Sequence, residues 1–436
     1  MMKQTILTLC FAAAGLFGAS AQLRLSLSEA VDLALSENPT VKVAELEVQR
    51  YDYVKRQTWG NLLPQLSASG SYQRSIVKSE MRGGISFGAD NTFAVQGDLT
   101  LPLFAPQVYR TMRLNDTQMA AAVEAARSSR ITLVAEVKKA FYNILLAEQS
   151  LAVLRESQAT VRRTVDDTEL QYNNGLASEY DLLTAQVQLS NLQPTIIQTE
   201  TSIRLAKLLL KMYLSIPEEV EIEVEGQLDA MRDQVLAGTD GLTADISENS
   251  DLRTLELQEM LLRRQLKVAN ASRLPSLGAF GSATYTGNDM EPFMGMGGSD
   301  GTKYFWTHPI TVGVQLSVPI FAGLTKMNKS REIKNQIAQL SLQRSYAEEQ
   351  IGVQVQSALN DLLTAREKMF AQERTVEQAR KAYSISDTRY RAGAGTILEL
   401  NSAQLARTQA QLNFSQAIYD YLSAKAEYDR IVGREK

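Results

Sequence analysis

The sequence predicts a mainly helical protein that carries a membrane β-barrel portion and is built as an internal duplication. Only 25 glycines and 10 prolines occur in 436 residues, and the glycines bunch in short stretches, so the long spans between them are expected to be helical. Segments of the first half recur in the same order in the second half. Four short segments alternate apolar with polar residues, as membrane-spanning strands do.

Residues 1–21 have the features of a secretory signal peptide. Lys3 precedes the apolar run 6–17, and the small residues 19–21 form a cleavage site. The sole cysteine, Cys10, lies in this leader, so the mature chain is expected to contain no cysteine, and lipidation is not expected. No later stretch reaches the roughly 18 to 20 apolar residues of a membrane helix. If the exported chain spans a membrane, strands are expected to do it.

The composition excludes several classes of function. The 45 basic and 49 acidic residues give a net charge of −4, which is not the charge of a nucleic-acid-binding protein. One cysteine and one histidine exclude a disulfide framework and make a Cys/His zinc site untenable. The sequence contains no phosphate loop, no HExxH and no Ser/His/Asp grouping, and His308 before Pro309 has the context of a structural residue. We therefore expect no catalytic residues, no cofactor, no metal and no enzymatic activity.

The duplication keeps its register over long spans. The first repeat covers residues 22–214, an equatorial connector covers 215–248, and the second repeat covers 249–436. Ser36–Asn38 returns as Ser247–Asn249, 211 positions later. The following residues return 218 positions later: Val137, Tyr172, Gly175, Leu182 and Ala185 as Val355, Tyr390, Gly393, Leu400 and Ala403.

Both repeats have the same order of elements. The first is predicted to contain a short helix opened by a capping box of Ser26 and Glu29, then helix 38–63, strands 65–75 and 92–101, and helices 105–172 and 176–214. The second is predicted to contain helix 250–273, strands 276–286 and 309–318, and helices 322–390 and 396–432. Helix 105–172 would be ~100 Å long, and its two shorter companions together match that length, which indicates a long bundle or a wall segment.

The strand segments carry the membrane prediction. In 309–318, Ile310, Val312, Val314 and Leu316 alternate with polar residues or glycine, whereas Phe280 interrupts the polar face of 276–286. Phe87, Tyr304 and Trp306 lie near the loop ends, and loop 288–303, with Met290, Met294 and Met296, is expected to be flexible and on the outer side. A half-buried soluble sheet alternates in the same way. Four strands cannot close a barrel, so the barrel is expected to be shared between chains.

Motifs along the whole mature chain resemble those of TolC-type outer-membrane efflux proteins. They are Leu25–Val31 with Asn38–Pro39, Val318–Gly323 after a strand, Tyr390–Gly393, and Thr396–Leu400 with Ala403–Gln404. The resemblance implies a homotrimer with a twelve-stranded β-barrel, four strands per chain, in the outer-membrane lipid of a Gram-negative bacterium. It also implies a long periplasmic α-helical barrel that contacts a periplasmic adaptor (membrane fusion) protein and an inner-membrane pump.

The resemblance also assigns roles to residues. The adaptor-docking tips would be Tyr172, Asn173, Asn174, Gly175 and Leu176 in the first repeat, and Tyr390, Arg391, Ala392 and Gly393 with Ala394 in the second. Asp181 and Glu399 would form the constriction of the periplasmic entrance, although an exposed carboxylate near a helix start is also favoured by the macrodipole. Some relatives have a gating arginine where this chain has Gly395 and a second acid where it has Ser402, so Arg391 is the nearest basic candidate.

The function expected on these grounds is a passive outer-membrane conduit of a tripartite efflux or type I secretion system. The alternative from another class is a soluble periplasmic coiled-coil adaptor or structural spacer, with the alternating segments in a small soluble sheet. Multidrug efflux, metal efflux and protein secretion stay open as activities, and small-molecule efflux is the favoured one.

Overall fold

The computed structural model describes residues 23–77, 79–81, 85–237, 242, 245–289 and 304–435. They form two compact units. Unit 1 contains the described residues up to Leu46, Glu124–Arg253 and those from Ser345 onward, and unit 2 contains Glu47–Val123 and Thr254–Arg344.

Helices provide most of the described residues. They are α1 (Leu27–Glu37), α2 (Pro39–Gly60), α3 (Pro106–Asn173), α4 (Glu179–Leu214), α5 (Leu228–Ala237), α6 (Ser250–Ala271), α7 (Thr325–Arg391) and α8 (Ile397–Val432). The strands are β1 (Leu23–Leu25), β2 (Gln65–Arg74), β3 (Ser79–Met81), β4 (Ile85–Phe87), β5 (Asn91–Phe104), β6 (Ile222–Val224), β7 (Ser276–Asp289), β8 (Tyr304–Thr307) and β9 (Ile310–Ser317). Among the described helices, none is both long enough and apolar enough to cross a membrane.

Unit 1 contains the largest apolar core. The parallel pair β1–β6 packs there with α1 and with parts of α3, α4, α7 and α8. Phe141, Ile144, Leu210 and Tyr421 are fully buried in it. The capping box that opens α1 is confirmed, since Ser26 Oγ accepts from the Glu29 N–H while the Glu29 carboxylate accepts from the Ser26 N–H.

Two asparagines fix the starts of α2 and α6 to the ends of other helices in unit 1. Asn38 Nδ2 donates to the carbonyl of Tyr213 at 2.8 Å, and Asn249 Nδ2 donates to the carbonyl of Ile431 at 2.7 Å. Each asparagine also accepts at Oδ1 from a backbone N–H in the first turn of its own helix. One side chain therefore caps a helix and satisfies a carbonyl at another helix end.

Unit 2 contains an antiparallel sheet in the order β2–β5–β7–β9. The short strand β8 pairs with the last residues of β7, on the same side as β9. Strand β5 lies between β2 and β7, so one edge of the sheet is β2 and the other is β9, continued by β8. Within the part of the chain that the structure describes, neither edge has a further neighbour. Every residue of β2 is exposed, as are all residues of β9 except one.

The register places most apolar residues of the four long strands on one face, with Phe280 as the main exception. Leu66 pairs with Leu99, Leu99 with Gly281, and Gly281 with Val312. On the opposite face, Ser67 pairs with Asp98, Asp98 with Ser282, and Ser282 with Thr311. Because side chains alternate along each strand, these two rows define a continuous apolar face and a continuous polar face.

Aromatic residues cluster on the apolar face at the loop end of the strands. The rings of Tyr72 and Phe93 lie 4.8 Å apart, and those of Tyr285 and Trp306 are stacked at 4.9 Å. Tyr304 contacts both pairs, at 5.8 Å from Phe93 and 6.2 Å from Trp306. Such amphipathic rings are typical of a membrane–water interface.

Several predicted boundaries are wrong, each at a turn or a proline. Helix 38–63 ends at Gly60 because Asn61–Leu63 form successive turns. Strand 92–101 continues through Pro102 to Phe104, where a bulge accommodates the proline. Strand 309–318 ends at Ser317 and is preceded by β8, since His308–Pro309 interrupt a longer strand that pairs with β7.

Two helix starts are also later than predicted. Helix 176–214 begins at Glu179 because the Ser178 side chain caps it. Helix 322–390 begins at Thr325, since Gly323 and Leu324 have positive φ values of 56° and 64° and form a turn.

The proposed signal peptide 1–21 and the methionines of loop 288–303 lie outside the described residues, whereas Asn288 and Asp289 belong to β7. Phe87 is in β4, and its side chain is not described.

Candidate functional site

The helix-reversing turns have the same backbone geometry in both halves of the chain. Gly175 and Gly393 have φ values of 71° and 70°, which glycine tolerates at no steric cost. The N–H of Leu176 donates to the carbonyl of Gln171 at 2.8 Å, and the N–H of Ala394 donates to that of Arg389 at 2.8 Å. These bonds satisfy the last helical carbonyls, as in a Schellman motif.

The predicted tip residues lie at these two turns. Tyr172 and Asn173 end α3, Asn174 and Gly175 form the turn, and Leu176 is 80% exposed. Tyr390 and Arg391 end α7, and Ala392 and Gly393 form the second turn. An exposed leucine and two exposed turns provide a surface that a protein partner can contact.

Asp181 lies in the first turn of α4 and belongs to its cap. Its Oδ2 accepts from the Ser178 hydroxyl at 2.7 Å and from the Ser178 N–H at 3.2 Å, while Ser178 Oγ accepts from the Asp181 N–H. The carboxylate is therefore held close to its own helix end, where the macrodipole favours negative charge.

Glu399 occupies the matching position of α8 but has a different partner. Its N–H donates to Thr396 Oγ1 at 3.2 Å, whereas its carboxylate lies 3.5 Å from Arg389 Nη1. Arg389 also donates from Nη2 to the carbonyl of Ala394 at 3.1 Å. Arg391, the nearest basic candidate from the sequence, pairs with Asp387, four residues earlier on α7, and this contact raises the pKa of Arg391.

The helices behind the tips are joined by a hydrogen bond and a small apolar cluster. Thr168 of α3, which is fully buried, contacts the hydroxyl of Tyr390 of α7 at 2.9 Å. Next to it, Val165, Ala185, Ile397 and Leu400 form the cluster, with one contribution each from α3 and α4 and two from α8. Sequence reasoning missed the Thr168 contact because no local pattern indicates a partner 222 residues away.

A polar cavity of about 250 Å³ lies between α3, α7 and α8 in the same region. Arg407 contacts Glu156 and stands over the ring of Tyr383, with its guanidinium carbon 5.1 Å from the ring centroid. Burial raises the pKa of the Tyr383 hydroxyl. Next to this cavity, Gln404 and Thr408 of α8 bond to the buried Ser157 of α3. These contacts hold α8 against α3.

An exposed apolar groove runs between α4 and α8. It is lined by Tyr180, Leu183 and Val187 of α4 and by Leu398 and Leu405 of α8, each more than half exposed. Within the described residues, no group of three or more His, Cys, Asp or Glu side chains could hold a metal ion.

The geometry of the tips and of the two-faced sheet agrees with a family match. The family model described as "Outer membrane efflux protein" matches residues 30–214 and 244–434. The chain belongs to the outer membrane efflux protein family. It is therefore an export protein of the Gram-negative outer membrane with a periplasmic extension.

Individual relatives and solved structures of outer-membrane proteins also match this chain over most of its length. Identity is 25% with the alkaline protease secretion protein AprF of Pseudomonas aeruginosa, over 98% of this chain and 88% of AprF. It is 24% with outer membrane protein TolC of Vibrio cholerae, over 69% of this chain and 67% of TolC. The crystal structure of the CmeC outer membrane channel of Campylobacter jejuni superimposes with a TM-score of 0.73 at 17% identity, covering 93% of this chain and 85% of CmeC. The similarity to CmeC shows that the two chains share a fold.

Proposed function

We propose that three copies of this efflux protein form a passive export channel, with a shared twelve-stranded β-barrel in the outer membrane and an α-helical barrel in the periplasm. The observation that carries the proposal is the two-faced sheet with its two unpaired outer strands, β2 and β9. A strand edge facing lipid leaves unsatisfied N–H and C=O groups, which costs several kcal/mol per group. Pairing β9 of one copy with β2 of the next satisfies them.

The duplication gives each copy two equivalent sets of long helices. The family model matches the chain in two separate ranges, and the tip turns and asparagine contacts occur once in each half. In a trimer, the two repeats would line the periplasmic barrel alternately. The connector 215–248, which contains β6 and α5, would surround the periplasmic barrel near the middle of its length.

The conduit needs an energy source supplied by partners. We assign the two exposed tips to an adaptor protein that links the channel to an inner-membrane pump, and Asp181 and Glu399 to the narrow periplasmic entrance. Three copies of each carboxylate would concentrate negative charge at the mouth. Arg389, through its contact with Glu399, replaces the arginine that some relatives carry at the position of Gly395.

Small molecules are the substrates that we favour. A second candidate, protein secretion, is favoured by the likeness to AprF, which covers 98% of this chain and is named for the secretion of a protease. Deletion of the gene followed by assays of drug sensitivity and of secreted protein separates the two.

Detergent extraction and bilayer recording test the channel itself. The proposal predicts that the protein needs detergent for extraction, migrates as a trimer that heating converts to monomer, and opens pores in planar bilayers. Release into aqueous buffer, with no pores at any concentration, would instead identify a soluble coiled-coil adaptor or spacer.

A further inference from the structure

The polar face of the sheet has one charged and one conspicuous aromatic side chain. On the polar face of β2, β5, β7, β8 and β9, as far as the structure describes these strands, Asp98 is the one charged residue. Phe280 stands among serine, threonine and glutamine side chains near the start of β7, and Phe305 is far away at its loop end. The alternation of the strands accounts for a polar residue at position 98 but not for its charge, and it does not account for Phe280.

The ring of Phe280 packs against the next strand. Phe280 is directly opposite Gly313 of β9, and a Cβ atom at Gly313 would stand 2.8 Å from the nearest ring carbon. The far end of the ring therefore lies against the backbone of Gly313. The side chain is still 38% exposed, so part of the ring is accessible.

Asp98 is a near neighbour of this ring on the same face. Thr100 pairs with Phe280, and Asp98 pairs with Ser282, so Asp98 and Phe280 are diagonal neighbours with their Cα atoms about 7–8 Å apart. Gln96 Nε2 donates to Asp98 Oδ1 at 2.7 Å and orients the carboxylate. Among the described residues, no lysine or arginine forms an ion pair with Asp98.

A concavity of about 410 Å³ adjoins the ring. Its lining combines Thr100, Phe280 and Gln315 of the polar face with apolar residues such as Leu101 and Leu277. The volume is in the range of small-molecule sites, and the lining is mainly apolar with a few hydroxyl and amide groups and no charged residue.

We propose that Phe280 and Asp98 form a subsite for organic cations that carry an aromatic or bulky apolar group. The inference rests on the proposed function, in which the polar face lines the channel. An accessible phenylalanine ring attracts a cation through its quadrupole and packs with an apolar body, while the carboxylate favours positive over negative charge. Three copies would create a ring of such subsites near the helix end of the barrel.

Block of single-channel current by tetraphenylphosphonium tests the subsite. In the reconstituted full-length channel, we expect brief blocks whose mean duration becomes about two- to fivefold shorter in Phe280→Leu, the range that follows from an exposed cation–π contact. Asp98→Asn, which keeps the shape of the side chain, is expected to shorten the blocks as well. Tetraphenylborate has nearly the same shape and the opposite charge, and Asp98→Asn should not shorten its blocks.

Phe305→Leu is the matched control, because it removes the other phenylalanine of the polar face and should leave block durations unchanged. Unaltered unit conductance shows that each variant still forms the channel. If Phe280 serves only to cover Gly313, Phe280→Leu lowers the thermal midpoint and leaves the blocks unchanged, which overturns the inference. Equal blocks in wild type and Asp98→Asn overturn it too, whereas a wild type without pores contradicts the proposed function itself.

Discussion

The charged residues at the starts of α4 and α8 have different partners. Asp181 is bonded to its own cap, whereas Glu399 is paired with Arg389. Both members of the Arg389–Glu399 pair are about half exposed, so the pair contributes about 0.2–1 kcal/mol to stability. Its importance is therefore electrostatic: it sets how much negative charge Glu399 adds to the proposed entrance.

Ion selectivity of the pore tests this assignment. Asp181→Ala and Glu399→Ala are expected to raise the conductance of anions, because each removes three negative charges from the mouth of a trimer. Arg389→Gln is expected to have the opposite effect, since Glu399 loses its partner. Arg391→Gln, whose partner is Asp387, is the control and should change selectivity less. Unchanged conductance and selectivity in both alanine variants would contradict the roles of Asp181 and Glu399.

A second residue-scale effect concerns stability in acid. The guanidinium of Arg430 bonds to Glu427 and, with Lys139, lowers the pKa of Glu427 from 4.5 to about 2. A lowered pKa means that the carboxylate stabilises the fold above pH 4.5 and that this contribution is lost as the pH falls toward 2.

Glu427→Gln should therefore flatten the pH dependence of unfolding in that window. The measurement is the thermal midpoint between pH 6 and pH 3, with Glu169→Gln, at an exposed position of α3, as the control. If the thermal midpoint falls by the same number of degrees in wild type and in Glu427→Gln, the contacts of Glu427 with Arg430 and Lys139 do not stabilise the native state as described.

At the scale of elements, the helices end where glycine or a cap allows it. Gly393 has a φ of 70° in the tip turn, whereas Gly352 lies within α7 with space for a Cβ atom, because nothing stands within 4 Å. The same substitution therefore has opposite expected effects at the two positions.

Gly393→Ala should destabilise the protein by about 1–2 kcal/mol, since alanine is strained in a left-handed conformation. Gly352→Ala should stabilise it by about 0.5–1 kcal/mol, since alanine is the better helix former. Denaturant midpoints of the two variants and the wild type provide the comparison. Destabilisation by Gly352→Ala as large as that by Gly393→Ala would show that the turn conformation is not the cause.

Sequence patterns gave the elements and the faces of the sheet but not the contacts between them. Glycines and prolines mark helix ends, and the alternation of β9 predicts which side chains share a face, because both depend on neighbours along the chain. The pairing of Arg389 with Glu399 and of Thr168 with Tyr390 depends on how helices meet, which local patterns do not encode. Strand β8 is absent from the sequence prediction because proline is typical of the first residue of a strand, so the strand is predicted to begin at Pro309.

At the scale of the whole molecule, the central claim is that three chains close one barrel. The apolar face of the sheet, with aromatic side chains at its loop end, is suited to lipid, and the polar face is suited to water. A single chain leaves β2 and β9 without outer partners among the described residues. Another copy of the chain can supply them.

Cysteine cross-linking between the two edges tests this claim most directly. The chain has one cysteine, Cys10 in the proposed leader, so the mature protein offers a clean background. We would combine Ala68→Cys of β2 with a cysteine at each apolar-face position of β9 in turn, at Ile310, Val312, Val314 or Leu316, and oxidise the protein in membranes. The account predicts that at least one pair gives covalent dimers and trimers and nothing larger. Cross-links confined to single chains, or a ladder that ends at another number, would contradict it.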